Sequence, residues 1–466
     1  MEKIILKDIP DLNKIDVYVA NGGYTALKKA VSQMSPDQVI EEVKTSGLKG
    51  RGGACFSTGL KWSFIPKGSP KPKYLLCNGD ESEPGSFKDR EIFEKNPQQF
   101  IEGALIAAYA IGAKAIYIYI RGEYWKWIKL MEESVADAYK KGFIGNNIFG
   151  SDFSCEMYIH VGAGAYICGE ETSLMNSLEG KRGYPRVKPP FPAISGAWGN
   201  PTIINNIETL ANVPEIINKG GEWFSKIGDP RQPGTLLFGV SGHVNKPGVY
   251  ELPTGIPLMT IINDHCGGVK DGKEIKMVIP GGSSMPPLNR EEALTIKMDN
   301  ESLKAIGSYI GTAGVIVMSE GTDVVDVIRR ITKFYYHESC GQCTPCREGC
   351  GWMLKVLNRI MDGTGRMSDL DLLISVAENI EGNTICALGD AAAWPVKWAV
   401  RKFRKDFEAK ITDKTIVLPV LNKVHGLRDS DEYETITLQS DQEVVDNLMG
   451  SVQEIIHNDD VKRFSS

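Results

Sequence analysis

The 466-residue chain has no excess of basic charge, no unbroken apolar run of membrane length and no internal repeat. Lys and Arg number 53 against 59 Asp and Glu, a net charge of −6, so nothing points to nucleic-acid binding. The most apolar stretch, Ile101 to Ile120, has the length of a bilayer span. It carries Glu102, Gly103, Gly112 and Lys114 and changes period midway, so it reads as a buried helix followed by a strand, with no direct membrane span. The opening residues Met1 to Asp8 mix charged and apolar types and lack the basic region and apolar run of a secretory signal. Membrane contact is expected only through partner proteins. A Rossmann fingerprint is missing too: Gly50-x-Gly52-x-x ends in Cys55 where Gly or Ala is required, and no Walker loop occurs.

What is present is enough to build cores, with 42% hydrophobic and 24% charged residues. Residues 1–58 hold one short helix, Ser35 to Val43, started by a good N-cap, and then a glycine-rich loop. Residues 59–226 alternate strand and helix patterns: strands at Tyr74–Asn78, Ala115–Ile120 and Cys155–Val161, helices at Pro97–Ile111 and Tyr124–Lys141. That alternation predicts a parallel or mixed sheet with ligands at strand ends. Residues 227–322 change texture to a small α+β module, with strands at Leu236–Ser241, Val249–Leu252 and Lys276–Ile279 and a short helix near Leu258–Asp264. Residues 323–411 read as a bundle of four helices, Asp323–Tyr336, Arg347–Met361, Ser368–Ile380 and Asp390–Ile411. Pro395 is expected in the first turns of the last helix, where proline costs least. Residues 412–466 are an acidic extension with one candidate helix, Gln442–His457.

Ten cysteines in a chain without an export signal suit a reducing compartment, where clustered thiols read as metal ligands. Cys340, Cys343 and Cys346 form C-x2-C-x2-C, a spacing that lets three thiolates converge on one iron–sulfur cluster from a tight loop. Zinc is the competing reading, although structural zinc prefers paired CxxC units. The spacing leaves two candidates for a fourth ligand. Cys350 completes C-x2-C-x2-C-x3-C but is followed by Gly351 rather than proline, and there is no second such run. Cys386 lies in a loop between the third and fourth helices of the bundle.

Three loops carry ligand-binding chemistry. In residues 47–62, Gly50, Gly52, Gly53 and Gly59 let backbone approach a ligand, while Lys49, Arg51 and Lys61 supply positive charge for phosphates. In residues 77–90, Asp80, Glu81 and Glu83 follow a strand directly and suit hydroxyls, amides or a metal rather than phosphates. Residues 162–174, with Glu170 and Glu171, form a third loop facing the same pocket, followed by the basic stretch Lys181 to Pro192.

Together these segments resemble the NADH-binding flavoprotein subunit of respiratory complex I. The resemblance rests on GRGGACFSTGLKW (50–62), NGDESEPGSFKDR (78–90), GAGAYICGEET (162–172), NPTIINNIETLANVP (200–214), ESCGQCTPCREG (338–349) and TICALGD (384–390). It implies an α/β flavin domain, a small α+β ubiquitin-like (SLBB-type) domain and an all-α four-helix bundle carrying an iron–sulfur cluster. It implies FMN on Gly50, Arg51, Gly52 and Gly53, with Gly59, Lys61, Asn78, Asp80, Tyr166, Gly169, Glu170, Asn205 and Asn206 around it. For NADH or NAD+ it implies Glu83 on the carboxamide, Phe56, Phe64 and Phe191 against the adenine, and Glu171 and Lys188 along the dinucleotide. It assigns one [4Fe–4S] cluster to Cys340, Cys343, Cys346 and Cys386. Cys55 stands where the family usually has Gly, and Ser57 where it often has Pro. The Cys55 side chain narrows the dinucleotide site, makes the flavin sensitive to oxidants, or points away from the site.

The implied task is oxidation of NADH by hydride transfer to FMN, which passes single electrons to the cluster and onward. No side chain need act as acid or base in the hydride step. The implied partners are a thioredoxin-like [2Fe–2S] subunit and a large iron–sulfur subunit, which would hold the chain on the cytoplasmic face of the inner membrane. The alternative is the diaphorase subunit of an NAD-linked hydrogenase or formate dehydrogenase.

Overall fold

A computed structural model describes residues 3–412, together with the backbone of two short strands, Thr415–Pro419 and Tyr433–Thr437, which pair antiparallel. The rest of the acidic extension, including the candidate helix Gln442–His457, lies outside the described residues.

Helix α1 (Pro36–Thr45) starts from a full capping box. Ser35 accepts from the Gln38 amide, and the Gln38 side chain accepts from the Ser35 amide. Two further short helices, Ile15–Ala20 and Thr25–Gln33, precede it, and neither has a side-chain cap to mark its start. The helix α2 (Thr58–Ser63) follows the glycine-rich loop and packs on α1. Gly59 makes that contact possible, because a Cβ there would sit 2.6 Å from the Lys44 amide nitrogen.

Four parallel strands then form a sheet in the order β3-β2-β1-β4, with β1 (Tyr74–Gly79), β2 (Ala115–Ile120), β3 (Glu156–Val161) and β4 (Thr202–Asn206). Helix α3 (Pro97–Ile111) connects β1 to β2, and α4 (Trp125–Lys140) connects β2 to β3. The chain leaves β1 toward β2 and returns to add β4 on the other side of β1. The C-terminal ends of β1 and β4 are therefore the switch point of the sheet, where a crevice opens. Alternation along β1 sends Leu75 and Cys77 into one core and Leu76 into the other. The helix α3 is buried on nearly every side, which explains its near-continuous apolar sequence. Its Glu102 is satisfied by the Tyr18 hydroxyl at 2.5 Å and by the amides of Tyr24 and Leu27. Among the described residues no helix is long and apolar enough to cross a membrane.

Helix α5 (Glu171–Leu178) precedes β4. A second, mixed sheet has the order β6-β5-β9-β7-β8, with β5 (Thr235–Gly242), β6 (Gly248–Pro253), β7 (Ile275–Ile279), β8 (Leu288–Asn289) and β9 (Gly314–Ser319). Its core is separate, built on Phe238, Leu258, Val278 and Val315. Four packed helices follow: α6 (Val324–Glu338), α7 (Thr344–Met361), α8 (Ser368–Ile380) and α9 (Leu388–Lys402). Their apolar faces share one core with Leu76 and Ile204 of the parallel sheet.

Two expectations are corrected. The last helix does not run from Asp390 to Ile411. It starts at Leu388, ends at Lys402, and a separate short helix covers Arg404–Glu408. Pro395 is thus the eighth residue of α9, beyond its first turns, where the ring leaves the Ala391 carbonyl without its usual helical donor. Strands β4, β8 and β9 are not among the expected strands, although Val315-Ile316-Val317 of β9 is a β-branched run. The edge strand β8 has only two residues, and β4 passes unmarked between a proline-rich loop and the following helices.

Candidate active site

A cavity of about 510 Å³ opens over the C-terminal ends of β1 and β4. That volume is within the usual span of small-molecule sites, ~300–1,000 Å³. Asn78 and Asn206 stand side by side in its wall because β1 and β4 pair Asn78 with Asn206 in register. The loop after β1 contributes Asp80 and Glu83, and the glycine-rich loop contributes Gly52 and Gly53. The turn before α5 adds Tyr166, Gly169 and Glu170. Ser284 and Thr312 of the mixed-sheet module also line it, as do Ala387 and Leu388, directly after Cys386, and Ala391 and Trp394 of α9.

Gly52 packs closely on Asn206: a Cβ there would come to 3.0 Å from the Asn206 side chain, which would have to shift. The Asn78 amide donates to the Gly169 carbonyl at 2.8 Å and so ties two of the loops together. Glu83 is held by the Tyr166 hydroxyl at 2.6 Å and the Ser284 amide at 2.7 Å. Burial raises its carboxyl above the usual range, and these donors work against that rise. Asp80 accepts from the Ser82 hydroxyl, and burial pushes its carboxyl up to about 7. The cavity wall therefore holds two carboxyl groups whose charge is costly.

Lys88 has no sequence signal of its own beyond its place in the NGDESEPGSFKDR motif. It lines the cavity and is its one buried cation among the described residues, with its ammonium 2.7 Å from both Asp89 and Glu208. Burial pulls that ammonium down, but the surrounding carboxylates of Asp89, Glu208 and Glu81 outweigh it and hold it above its ordinary range. Glu81 is spent on structure: it accepts from the Lys88 and Asp89 amides and pairs with Arg90.

Several expected residues stand away from the cavity wall. Arg51 turns its side chain into the protein, where Nη2 donates to the Pro233 carbonyl and Nε and Nη1 find no partner. Its charge faces Glu208. Asn205 accepts from the Trp62 indole at 2.8 Å and is buried. Gly50 and Gly59 shape the loop and its packing on α1 without lining the cavity. Lys61 and Lys188 clasp Glu171 at 3.1 and 2.8 Å, and Lys188 also reaches Glu170 at 3.3 Å. Despite burial, the two ammonium groups keep Glu171 below the usual carboxylate range. Phe56, Phe64 and Phe191 are about half exposed, with the first two rings 6.1 Å apart. Cys55 points away from the cavity: its backbone is left-handed, its sulfur lies 3.5 Å from Gln232 Nε2, and it packs on the core of the mixed sheet.

The cysteines do not themselves line the cavity, but Cys386 directly precedes its lining residues Ala387 and Leu388. Cys343 caps the start of α7 and Cys346 is its third residue, while Cys340 lies in the turn after α6. Cys386 precedes α9. Burial and then the charges of Glu170, Cys340 and Cys346 push the Cys386 thiol up to about 12, while the Leu388 amide donates to its sulfur. Cys340 likewise receives the Gln342 amide and feels Cys346 and Cys343. Cys386 thus lies within reach of the charges of Cys340 and Cys346, and Cys340 within reach of those of Cys346 and Cys343, with backbone donors on two of the sulfurs. Among the described residues no three His, Cys, Asp or Glu side chains close around a single metal ion. A cluster is a larger guest and spreads its ligands further apart than a lone zinc does.

Comparison with known proteins agrees with this geometry. The profile of the Nuo51 FMN-binding domain matches residues 43–215, that of the SLBB domain residues 236–327, and that of the NADH-ubiquinone oxidoreductase-F iron-sulfur binding region residues 326–410. The second NADH-quinone oxidoreductase F subunit of Rhizobium meliloti (strain 1021) is 52% identical over 415 residues, covering 89% of this chain and 98% of that relative. The corresponding F subunit of Rickettsia bellii (strain OSU 85-389) is 55% identical over 384 residues, covering 82% and 92%. A chain of an NAD+-reducing [NiFe]-hydrogenase in the H2-reduced state superposes with a TM-score of 0.76 at 33% identity; the match covers 84% of this chain and 66% of that longer one. A cavity at the switch point of a parallel sheet, whose lining includes the two residues that follow Cys386, thus occurs in a chain whose sequence belongs to the family of NADH-quinone oxidoreductase F subunits.

Proposed function

We propose that this chain is the electron-input subunit of a complex I-like NADH:quinone oxidoreductase. One observation carries the reading: a single cavity is lined both by Asn78, Asp80 and Glu83 and by Ala387 and Leu388, the residues adjoining Cys386. The residues present fit FMN. Gly52 and Gly53 leave room for a flat ring system, carboxyl and amide groups offer partners to ring edges and hydroxyls, and Lys88 is fixed beside them.

FMN, when bound, supplies the chemistry that exchanges two electrons with NADH and single electrons with a cluster. The chain's own task is placement. Asn78, Asp80, Tyr166, Gly169, Glu170 and Asn206 would hold the flavin, with Gly50 to Gly53 as the loop beneath it. The Glu83 carboxyl, in its ionised form, would disfavour added negative charge in the cavity. Glu83 would meet the nicotinamide carboxamide, and its fixed hydrogen bonds give it one orientation. Glu171, kept ionised between Lys61 and Lys188, would line the dinucleotide, and Phe56, Phe64 and Phe191 would cover the adenine. Arg51, Gly59 and Asn205 would act from behind, by holding the loop and the sheet edge. Cys340, Cys343, Cys346 and Cys386 would hold the [4Fe–4S] cluster, whose nearness to the cavity lets electrons leave singly.

The proposed layout is an N-terminal segment (1–58), a flavin domain (59–226), a ubiquitin-like domain (227–322), a four-helix bundle with the cluster (323–411) and an extension (412–466). A thioredoxin-like [2Fe–2S] subunit and a large iron–sulfur subunit are the proposed partners, and through them the chain would sit on the cytoplasmic face of the inner membrane. The hydrogenase diaphorase reading is second: the similar hydrogenase chain is 33% identical, against 52–55% for the F subunits. Optical and EPR spectra of the purified chain before and after NADH test the proposal. Bleaching of a flavin band and a new reduced-cluster signal are expected. A reconstituted chain with no flavin absorbance would sink it.

A further inference from the structure

The sulfur of Cys346 differs from those of the other three proposed ligands. Two side chains contact it: the Ser339 hydroxyl at 3.2 Å and the Cys350 thiol at 4.0 Å. Among the described residues, the sulfurs of Cys340, Cys343 and Cys386 have no side-chain hydrogen bond. Ser339 caps the end of α6, immediately before Cys340. Cys350 lies one turn beyond Cys346 on α7 and is fully buried.

The direction of both hydrogen bonds follows from ligand chemistry. A sulfur that ligates iron is a thiolate and has no proton to give, so the hydroxyl and the thiol must donate to it. Ser339 is already arranged for this. Its oxygen accepts from the Gly341 amide at 3.4 Å, which leaves its own proton free for Cys346. Cys350, on the same helix face and shut off from water, has Cys346 as its sulfur neighbour. Hydrogen bonds to cluster sulfurs withdraw charge and favour the reduced, more negative cluster, so they raise its reduction potential.

We propose that Ser339 and Cys350 are positioning residues that set the potential of the cluster through the Cys346 sulfur. This gives a role to the fourth cysteine of the C-x2-C-x2-C-x3-C run, which no ligand assignment uses. It rests on the reading of Cys346 as a ligand.

The test is an EPR-monitored redox titration of the cluster-loaded full-length chain, with iron and acid-labile sulfide measured in parallel. The variants are Ser339→Ala, Cys350→Ala, the double variant and Cys350→Ser. Each alanine variant is expected to keep its iron and lower the midpoint. The double variant should shift the electron-sharing equilibrium by about tenfold, which is 59 mV for a one-electron couple. Cys350→Ser keeps a donor and should restore part of the shift. An unchanged midpoint in Ser339→Ala with full iron content overturns the proposal, whatever the Cys350 variants do, because that change removes one oxygen from a half-buried cap. Cys346→Ser separates the two readings. If it keeps all its iron and an unaltered EPR signal, the ligand assignment fails; if it loses them while Ser339→Ala leaves the midpoint unmoved, only the tuning role fails.

Discussion

The Tyr166 hydroxyl donates a 2.6 Å hydrogen bond to the Glu83 carboxylate, and both side chains line the cavity. Tyr166 comes from the turn before α5 and Glu83 from the loop after β1, so the bond fixes one cavity wall against another. Tyr166 also stacks edge-on against Phe334 and Tyr335 of α6, which extends the contact to the helices that carry the cysteines.

Replacing Tyr166 by Phe removes a donor from a buried carboxylate while keeping the ring packing. Hydrogen bonds to charged groups contribute ~1.5–3 kcal/mol, so a destabilisation of that order is expected in denaturant unfolding. The Glu83 carboxyl should rise further, and the acidic limb of the NADH–ferricyanide activity profile should move to higher pH. An unchanged unfolding midpoint together with an unmoved profile would mean that Glu83 is held by other groups.

Asp80 governs a pH dependence of stability. Its carboxyl is raised from 3.8 to about 7 in the folded chain. The native state therefore holds a proton that the unfolded state has lost between these values. Its contribution is complete below about pH 4 and fades as pH rises through 7. At roughly 1.4 kcal/mol per unit, the upper bound is about 4 kcal/mol. Wild type should lose stability between about pH 4 and 7 more steeply than Asp80→Asn. Parallel curves for the two proteins would contradict a protonated Asp80.

Lys88→Met should be among the most damaging single changes in the flavin-binding region. It strands Asp89 and Glu208, both buried, without their cation. Removing one partner of a buried ion pair costs about 3–5 kcal/mol. The exposed pair Lys126–Glu94 is the control: Lys126→Met should stay within about 1 kcal/mol. Urea unfolding of both variants measures the contrast, and equal losses would contradict it.

Cys386→Ser should lose iron and the cluster EPR signal while retaining flavin absorbance, whereas Cys350→Ser should retain iron. Iron analysis beside the optical spectrum checks both. The reverse pattern would exchange the roles of the two cysteines.

Much of the local structure was legible in the sequence. Helices Pro97–Ile111 and Ser368–Ile380 and strand Ala115–Ile120 occur at the bounds their periodicity predicts. The Ser35–Gln38 box starts its helix as its residues require. These features depend on neighbours a few residues away, and so does the C-x2-C-x2-C turn. Pro395 shows the limit: its own constraint is local, but its place in α9 depends on where Leu388 begins the helix.

The make-up of the cavity depended on partners distant in sequence. Asn78 and Asn206 meet only because β1 and β4 pair in register. Their neighbour Asn205, one residue earlier, turns to Trp62 because side chains alternate along a strand. Arg51 reads as a phosphate ligand in a glycine-rich loop, yet it spends its charge toward Glu208 inside the fold. Lys88 carries no signal of its own in the sequence, and its buried place follows from pairing with Glu208, 120 residues away. Cys55 is turned from the cavity by its left-handed backbone and its contact with Gln232. By itself, the sequence determined which chemical groups were available and which short segments would be helix or strand, because those depend on local sterics and hydrogen bonding. Only the tertiary structure decided which groups face the cavity and which are consumed by packing, because pairing register and the pairing of buried charges join residues more than a hundred positions apart.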